Sequence, residues 1–202
     1  MHFSMSKDDY NYTLNRKKNN IILIILMIIL GVSIFLVGYF VNGRSTKNVF
    51  TVVAILFALP GAKFMTSLII LLPSKKNEKE EYERIKGECK EPSKLYSSVV
   101  VTSVDKVMYM KYIYIGHANV FYVYDEKKKY DDEGKKGVKK RDEDRKYVKD
   151  YIYKGVNNYS SGFKVQMFTE VKKFENEIKR VEEKDEVKNE AEVISYIESL
   201  IV

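Results

Sequence analysis

Three charged side chains in the second half of the chain match the spacing of a carboxylate–lysine metal site. Asp105 precedes one strand-like segment, and Asp125 and Lys127 follow the next such segment with a single residue between them. Two carboxylates in that order can hold Mg²⁺, while the lysine positions a nucleophilic water. Acids and lysines are common around all three positions, and Asp105 would also serve well as a turn residue. Catalysis by this set is therefore an alternative hypothesis.

The chain offers few other groups that could do chemistry. Cys89 is its only cysteine, and His2 and His117 are its only histidines, so a zinc site built from these residue types is disfavoured. Neither a phosphate-binding loop in its strand–helix context nor a serine nucleophile elbow occurs in the sequence. We expect no cofactor, with Mg²⁺ only if the alternative hypothesis holds.

A lysine within an apolar run is the main candidate outside that set. Lys63 lies near the middle of the run 50–72, shortly after Pro60. A charge at that depth in a bilayer is costly and is often functional, although a thinned bilayer or carbonyls freed by the proline could also accommodate it. The proline removes the hydrogen bond to the carbonyl of Leu56 and favours a kink. Neither apolar run contains Asp or Glu, so an acidic partner for Lys63 would come from another protein or a lipid.

Lys63 lies in the second of two long apolar runs, residues 21–41 and 50–72. Each is long enough, at about 1.5 Å per helical residue, to cross the roughly 30 Å hydrocarbon core of a bilayer. Because only a short loop separates them, they predict a transmembrane helical hairpin. Small residues recur at spacings that let helices approach closely, within the hairpin or, as the alternative, between two copies of the chain. These small residues are Ala54, Ala58, Ala62, Gly31 and Gly38.

The distribution of positive charge predicts how the hairpin sits in the cell membrane. The chain carries a net charge of +7, and most of this excess belongs to the first 74 residues. Lysine and arginine flank the outer ends of the two runs and are sparse in the loop between them, which predicts cytoplasmic N- and C-termini. This charge favours the lipid bilayer and its anionic headgroups as partners. Nucleic acid is disfavoured, because acidic residues interleave with the basic ones throughout residues 125–145.

The remainder of the chain predicts a cytosolic α+β domain. The spacing of apolar residues gives the element order α-β-β-β-α-β-α-α, with a small, mostly antiparallel sheet covered by helices on one face. Residues 125–145 are so charged, and so poor in apolar side chains, that we expect a mobile loop there. The predicted organisation is a cytosolic tail at 1–20, the hairpin at 21–72, a juxtamembrane helix and linker at 73–94, and the domain at 95–202.

Short motifs spread over most of the chain are Leu59-Pro60-Gly61-Ala62-Lys63, Leu71-Leu72-Pro73, Glu81-Tyr82, and Lys164-Val165-Gln166-Met167-Phe168 leading into Phe174. In these motifs the chain resembles a family of uncharacterised two-span membrane proteins of Firmicutes, some of them labelled O-linked GlcNAc transferase-like. The resemblance implies the architecture alone. The transferase label finds no support, because the sequence contains neither a helical TPR-like repeat nor a sugar-nucleotide motif. The charged run 125–145 is a departure from the family.

These patterns together predict an integral membrane protein that is not an enzyme. We expect the cytosolic domain to bind or sense a partner, which could be a membrane protein or a second copy of the chain. The alternative is a membrane-tethered, Mg²⁺-dependent nuclease-like domain. It arises because restriction-endonuclease-like nucleases share the order helix, three strands, helix, strand, and place their acids and lysine at positions like Asp105, Asp125 and Lys127.

Overall fold

The computed structural model describes residues 6–72, 74–125, 135–184 and 187–202, with the backbone alone for residues 135–139. The chain divides into two compact units. One unit is Leu14–Pro73, and the other combines the residues up to Thr13 with Ser74–Val202. The second unit is therefore discontinuous in sequence, with both apolar helices inserted into it.

Long apolar helices make up the unit Leu14–Pro73. Helix α1 spans Tyr12–Val41, and the second apolar run forms α2 (Val49–Leu56) and α3 (Ala58–Leu71). Both runs are long and apolar enough to cross a membrane. Large apolar side chains on them are exposed, including Phe40 at 66% and Leu59 at 69%. Water does not solvate such a surface favourably, whereas lipid does.

Contacts within this unit set α1 beside the second run, antiparallel to it. Near one end the Asn20 amide donates to the Ser67 hydroxyl at 3.0 Å. At the other end a Cβ added to Gly38 would collide with the Phe50 side chain, and one added to Gly31 would lie 3.4 Å from the Ala54 carbonyl oxygen. Glycine thus allows the two backbones to approach closely at these positions.

The second run is interrupted as an α-helix at Phe57, between α2 and α3. The Phe57 amide donates to the Ala54 carbonyl at 3.3 Å, three residues back, instead of four back as in an α-helix. The interruption is adjacent to Leu56, whose carbonyl would have bonded an amide at position 60. Pro60 has no amide hydrogen to donate there.

The second unit is an α+β domain with the predicted element order. Its sheet has the strand order β1-β2-β3-β4, in which neighbouring strands are antiparallel except for the parallel pair β3 and β4. The crossover that a parallel pair requires is supplied by helix α5. The elements are α4 (Lys79–Gly87), β1 (Ser93–Thr102), β2 (Val107–Gly116), β3 (Asn119–Tyr124), α5 (Lys135–Tyr159), β4 (Lys164–Phe168), α6 (Val171–Lys179) and α7 (Glu190–Leu200).

Helices cover both faces of the sheet, so the expectation of one covered face was wrong. Ile113 and Ile115 belong to a buried cluster with residues of α5 and α7. Tyr112 and Tyr114, which alternate with them along β2, belong to a second buried cluster with residues of α4 and α6. Alternating side chains point to opposite faces of a strand. The tyrosine face looked half-polar in the sequence, but its rings are large enough to form a core.

The prediction of a mobile loop over residues 125–145 was wrong for its second half. Helix α5 begins at Lys135, while residues 126–134 lie outside the described part of the chain. The apolar stripe that includes Val148 and Ile152 is buried against the sheet and anchors the helix. In the charged part, Asp144 is buried and forms an ion pair with Lys106. A dense charge run can therefore be helical where one of its acids is buried and paired with a lysine.

Residues 6–13, which end in the first turn of α1, belong to the domain, although the sequence predicted a cytosolic tail at 1–20. Tyr12 is only 3% exposed and belongs to the same buried cluster as Ile113. The Tyr10 ring packs on the Tyr82 ring with a centroid distance of 4.9 Å. The Tyr82 hydroxyl donates to the Asp8 carbonyl at 3.3 Å. This segment therefore contributes to both buried clusters.

Candidate functional site

A cleft of about 750 Å³ opens in the α+β domain where β3 and β4 end. It is lined by the segment that follows α3, by the middle of β1 and β2, and by the start of α6. The carboxyl ends of parallel strands are the usual place for ligands in sheets with crossover helices. Its principal polar lining residues are Lys75, Asn77, Glu81, Lys111, Asp125 and Lys172.

An irregularity in the sheet shapes the wall of this cleft. Ser98 has a positive φ of 54° and is left out of the β1–β2 pairing. The register between β2 and β3 shifts between Met110 and Tyr112, so Lys111 is an extra residue in β2. Such a bulge re-aims side chains that a regular strand would send to opposite faces.

The result of the bulge is that two consecutive side chains of β2 reach the same carboxylate. The Lys111 ammonium lies 2.8 Å from Oε1 of Glu81 on α4, and the Tyr112 hydroxyl donates to the same oxygen at 2.8 Å. Burial and then the hydrogen bond to Glu81 raise the pKa of Tyr112, so this phenol remains a donor at physiological pH. Glu81 is thus satisfied by a cation and a neutral donor inside the domain.

The same bulge binds the chain segments on both sides of the apolar helices. The Thr13 hydroxyl donates to the Ser98 carbonyl at 2.6 Å, and the Ser98 hydroxyl donates to the Lys75 carbonyl. The Asn77 amide donates to the Lys111 carbonyl at 2.8 Å and to the Ser97 hydroxyl at 2.9 Å. We call Thr13, Lys75, Asn77, Ser97, Ser98 and Lys111 the clasp. It joins the start of α1 to the segment after α3 through one point of the sheet.

The structure describes two of the three residues of the nuclease-like hypothesis, Asp105 and Asp125. Asp125 lines the cleft, and its amide donates to the Tyr109 carbonyl at 2.9 Å. Asp105 lies in the turn before β2 and accepts a hydrogen bond from Tyr147 of α5 at 3.3 Å. Asp105 therefore lies before the first residue of β2, whereas Asp125 lies beside Tyr109, inside that strand. Lys127 is outside the described residues.

The proposed magnesium chemistry has no ligand set among these residues. No group of three or more His, Cys, Asp or Glu side chains that could hold a metal ion occurs within residues 6–72, 74–125, 140–184 and 187–202. The catalytic hypothesis for Asp105, Asp125 and Lys127 remains a prediction from sequence.

The candidates in the apolar unit lie on its surface. The Lys63 side chain is exposed on α3 and has no hydrogen-bond or ion-pair partner among the residues the structure describes. A groove of about 510 Å³ runs between α1 and the second run on that unit. The predicted packing residues Gly31, Ala54, Ala58 and Ala62 line it, together with Gly61. Gly38 contacts Phe50 near the loop instead.

A second polar cluster holds the end of α7 to β1. The Glu198 carboxylate lies 3.0 Å from the Lys94 ammonium and accepts a hydrogen bond from the Tyr96 hydroxyl at 2.8 Å. Lys7 donates to the backbone carbonyls of Glu198 and Ile201. Burial raises the pKa of Glu198, but the hydrogen bonds from Lys94 and Tyr96 and the charges of Lys94 and Lys7 outweigh it, and the net pKa is lowered from 4.5.

Replacing Glu198 by glutamine should reduce the acid sensitivity of the domain. Because folding lowers the pKa of Glu198, its charge stabilises the fold above pH 4.5 and loses that effect as the pH falls through the folded pKa. Glu198→Gln should cost about 1 kcal/mol at pH 7 and show a shallower loss of stability below pH 4.5. Urea unfolding of the full chain in micelles at several pH values measures both. Glu192→Gln on the exposed part of α7 is the control, and equal pH slopes for wild type and Glu198→Gln would contradict the prediction.

Sequence reasoning missed the polar residues that shape the cleft. Glu81 appeared only within a resemblance motif, and Lys111 and Ser98 only as members of strand-like runs. The unusual signal was a lysine in the middle of an otherwise apolar strand, at position 111. That lysine does not by itself predict a bulge, because a bulge depends on the register of the neighbouring strand.

Comparison with known proteins gives no relative from which a function could be inferred. No protein-family model, curated protein or solved structure matches the chain. The resemblance to two-span membrane proteins therefore remains a proposal. The features of the chain that bear on function are the two apolar helices, the clasp and the cleft.

Proposed function

We propose that the chain is an integral membrane protein whose α+β domain is held at the cytoplasmic face and binds a partner without catalysing a reaction. The observation that carries the proposal is that residues on both sides of the apolar helices fold into one domain. Tyr12 is buried in its core, and Thr13 and Lys75 bond to the same residue of β1. A folded domain cannot lie on both sides of a bilayer. This favours two membrane crossings, in which the chain leaves the domain's side of the bilayer through one apolar helix and returns through the other.

The charges around the apolar helices support the cytoplasmic side for that domain. The short loop between α1 and α2 carries few basic residues, whereas the start of α1 and the segment after α3 carry several. Positive charge near helix ends is retained on the cytoplasmic side. The flanking residues are Arg16, Lys17, Lys18, Lys75, Lys76 and Lys79, against Arg44 and Lys47 in the loop.

The groove in the apolar unit and the exposed Lys63 favour a membrane-embedded partner. Small residues line the groove, and an acidic or carbonyl partner lowers the cost of an ammonium group in hydrocarbon. We propose that another membrane protein or a second copy of the chain occupies this surface.

Cysteine labelling in intact spheroplasts tests the proposed topology. Cys89, whose pKa burial raises to about 12, is first replaced by serine to give a cysteine-free chain. Single cysteines are then placed at three exposed positions: Ser6 before α1, Ser45 in the loop and Ser161 after α5. A membrane-impermeant maleimide should label Ser45→Cys in intact spheroplasts, and Ser6→Cys and Ser161→Cys only after permeabilisation.

Two results would overturn the proposal. Labelling of Ser161→Cys in intact spheroplasts would place the domain outside, and opposite accessibility of Ser6→Cys and Ser161→Cys would contradict a single domain on one side. Extraction of the chain from membranes by alkaline carbonate would show that the apolar helices do not span the bilayer. Retention in the carbonate pellet is the expected result.

A further inference from the structure

We propose that Lys63 forms an ion pair within the bilayer with a carboxylate on a transmembrane helix of a different protein. The inference rests on the proposed function, because it requires the second apolar run to cross a membrane. It names the chemistry of the membrane-embedded partner and selects another protein over a second copy of the chain at this position.

Lys63 lies too deep in the second run for its side chain to reach the membrane surface. The helical run Val49–Leu71 has 23 residues, and Lys63 is three residues past its midpoint and eight residues before its nearer end. At 1.5 Å per residue that end is about 12 Å away, whereas the four-carbon stem of a lysine reaches about 6 Å. The Cα–Cβ bonds of a helix also tilt toward its N-terminus, here away from the nearer end. In a bilayer of ordinary thickness the ammonium therefore stays within the hydrocarbon.

The side of α3 that carries Lys63 is open to a neighbouring helix. The groove beside α1 is lined by Ala58, Ala62 and Met65 of α3, and Lys63 is not part of that lining. Successive helical residues are rotated by about 100°, so Lys63 lies on the far side of α3 together with Leu59, which is 69% exposed. A partner helix can therefore contact Lys63 without displacing α1.

A second polar group lies on the same side of the second run. Pro60 has no amide hydrogen, so the Leu56 carbonyl lacks its usual helical donor. Leu56 and Lys63 are seven residues apart, about two helical turns, which places them on one side. Lys63 makes no hydrogen bond to this carbonyl or to any other residue that the structure describes. The three ammonium protons can be shared between the carbonyl and a partner, but a carbonyl does not neutralise the charge.

Charge complementarity identifies the group on the partner as a carboxylate. Ionisable groups inside a membrane pair with groups of opposite charge, because hydrocarbon solvates neither charge. The two apolar runs, 21–41 and 50–72, contain no Asp or Glu, so a second copy of the chain has no carboxylate at this depth. Lipid phosphates lie in the headgroup layer, beyond the reach of the lysine stem. The remaining source is a membrane helix of another protein with Asp or Glu near its middle.

Association of the full chain with model helices in phosphatidylcholine vesicles tests the proposal. The chain carries Cys89→Ser and a donor fluorophore at Ser45→Cys in the loop, and the probes are leucine-rich transmembrane peptides with an acceptor fluorophore. One peptide has an aspartate at its centre, within one helical turn of the level of Lys63, and the matched peptide has leucine there. Lys63→Met removes the charge and keeps an apolar stem. Lys47→Met removes the same charge from the exposed loop and is the matched control.

We expect energy transfer to show that the wild-type chain binds the aspartate peptide at least tenfold more tightly than the leucine peptide, because a charge-assisted hydrogen bond is strong outside water. Lys63→Met should weaken that binding at least fivefold, and Lys47→Met less than twofold. Equal binding of the two peptides, or equal effects of the two substitutions, would overturn the ion pair. Energy transfer between two copies of the chain that is lost in Lys63→Met would overturn the assignment to a different protein.

Carbonate extraction of the same vesicles separates this inference from the proposed function. Retention of the chain in the pellet without a preference for the aspartate peptide would defeat the ion pair and leave the two membrane crossings intact. Release of the chain by carbonate would defeat the crossings themselves.

Discussion

Replacing Tyr12 by alanine should destabilise the α+β domain by about 3–5 kcal/mol, the usual cost of removing a buried aromatic side chain. Tyr12 is 3% exposed and lies in the cluster that includes Ile113 and Val148. Both apolar helices separate it in sequence from every other residue of that cluster. A large effect would therefore show that the start of α1 is an integral part of the domain.

The thiol of Cys89 can report this effect in the full chain in micelles. It is half-buried and packs against the cluster of α4 and α6, so its reaction with a maleimide increases when the domain unfolds. The urea dependence of that reaction gives the unfolding free energy for wild type and variant. Tyr12→Phe keeps the ring and should cost less than about 1.5 kcal/mol. Asn19→Ala, at an exposed position on α1, should change nothing in the domain. A loss below 1 kcal/mol for Tyr12→Ala would contradict the packing.

Replacing Phe174 by alanine should destabilise the domain by a similar amount, about 3–5 kcal/mol. Phe174 is fully buried on α6, with its ring centroid 6.0 Å from that of Tyr112 and 5.9 Å from that of Phe168. Its loss would leave a cavity between the helix and the sheet. The packing of Tyr112 would loosen with it, and the hydrogen bond of that residue to Glu81 in the cleft depends on the same position.

The same urea titration of Cys89 measures this loss. Phe174→Leu fills most of the space and should cost distinctly less than the alanine variant. Asn176→Ala, at an exposed position of the same helix, controls for changes in helix propensity. Equal stabilities for Phe174→Ala and Asn176→Ala would show that α6 does not pack on the sheet as described.

Phe174 and Tyr12 differ in what could be predicted about them. The spacing of Phe174, Ile178 and Val181 predicted a buried helix face; all three are buried, although α6 ends at Lys179 and Val181 follows it. Local periodicity is sufficient there, because the face repeats within a single helix. Tyr12 stands in a polar, charged stretch with no periodic partner nearby. Its burial results from a contact with the sheet that no local pattern encodes.

The cleft could not be predicted from the sequence, for a similar reason. Glu81, Lys111 and Lys172 come from α4, β2 and α6, and their meeting depends on how both helices pack on one face of the sheet. Under the alternative nuclease-like hypothesis Asp105 and Asp125 would meet because each flanks a strand; Asp125 lies at the cleft, and Asp105 lies in the turn before β2. The turn that holds Asp105 projects beyond β2, a detail of loop geometry rather than of strand order.

By itself the sequence determined the two long apolar helices, the interruption near Pro60 and the order of strands and helices in the α+β domain. These features follow from hydrophobic periodicity, run length and proline chemistry, which act over neighbouring residues. Tertiary structure alone decided that both faces of the sheet are covered, that Tyr12 at the start of α1 completes the core, and that a bulge at Lys111 gathers the clasp beside the cleft. Each of these depends on register and on contacts between distant segments, whose energies are settled only when the whole domain packs.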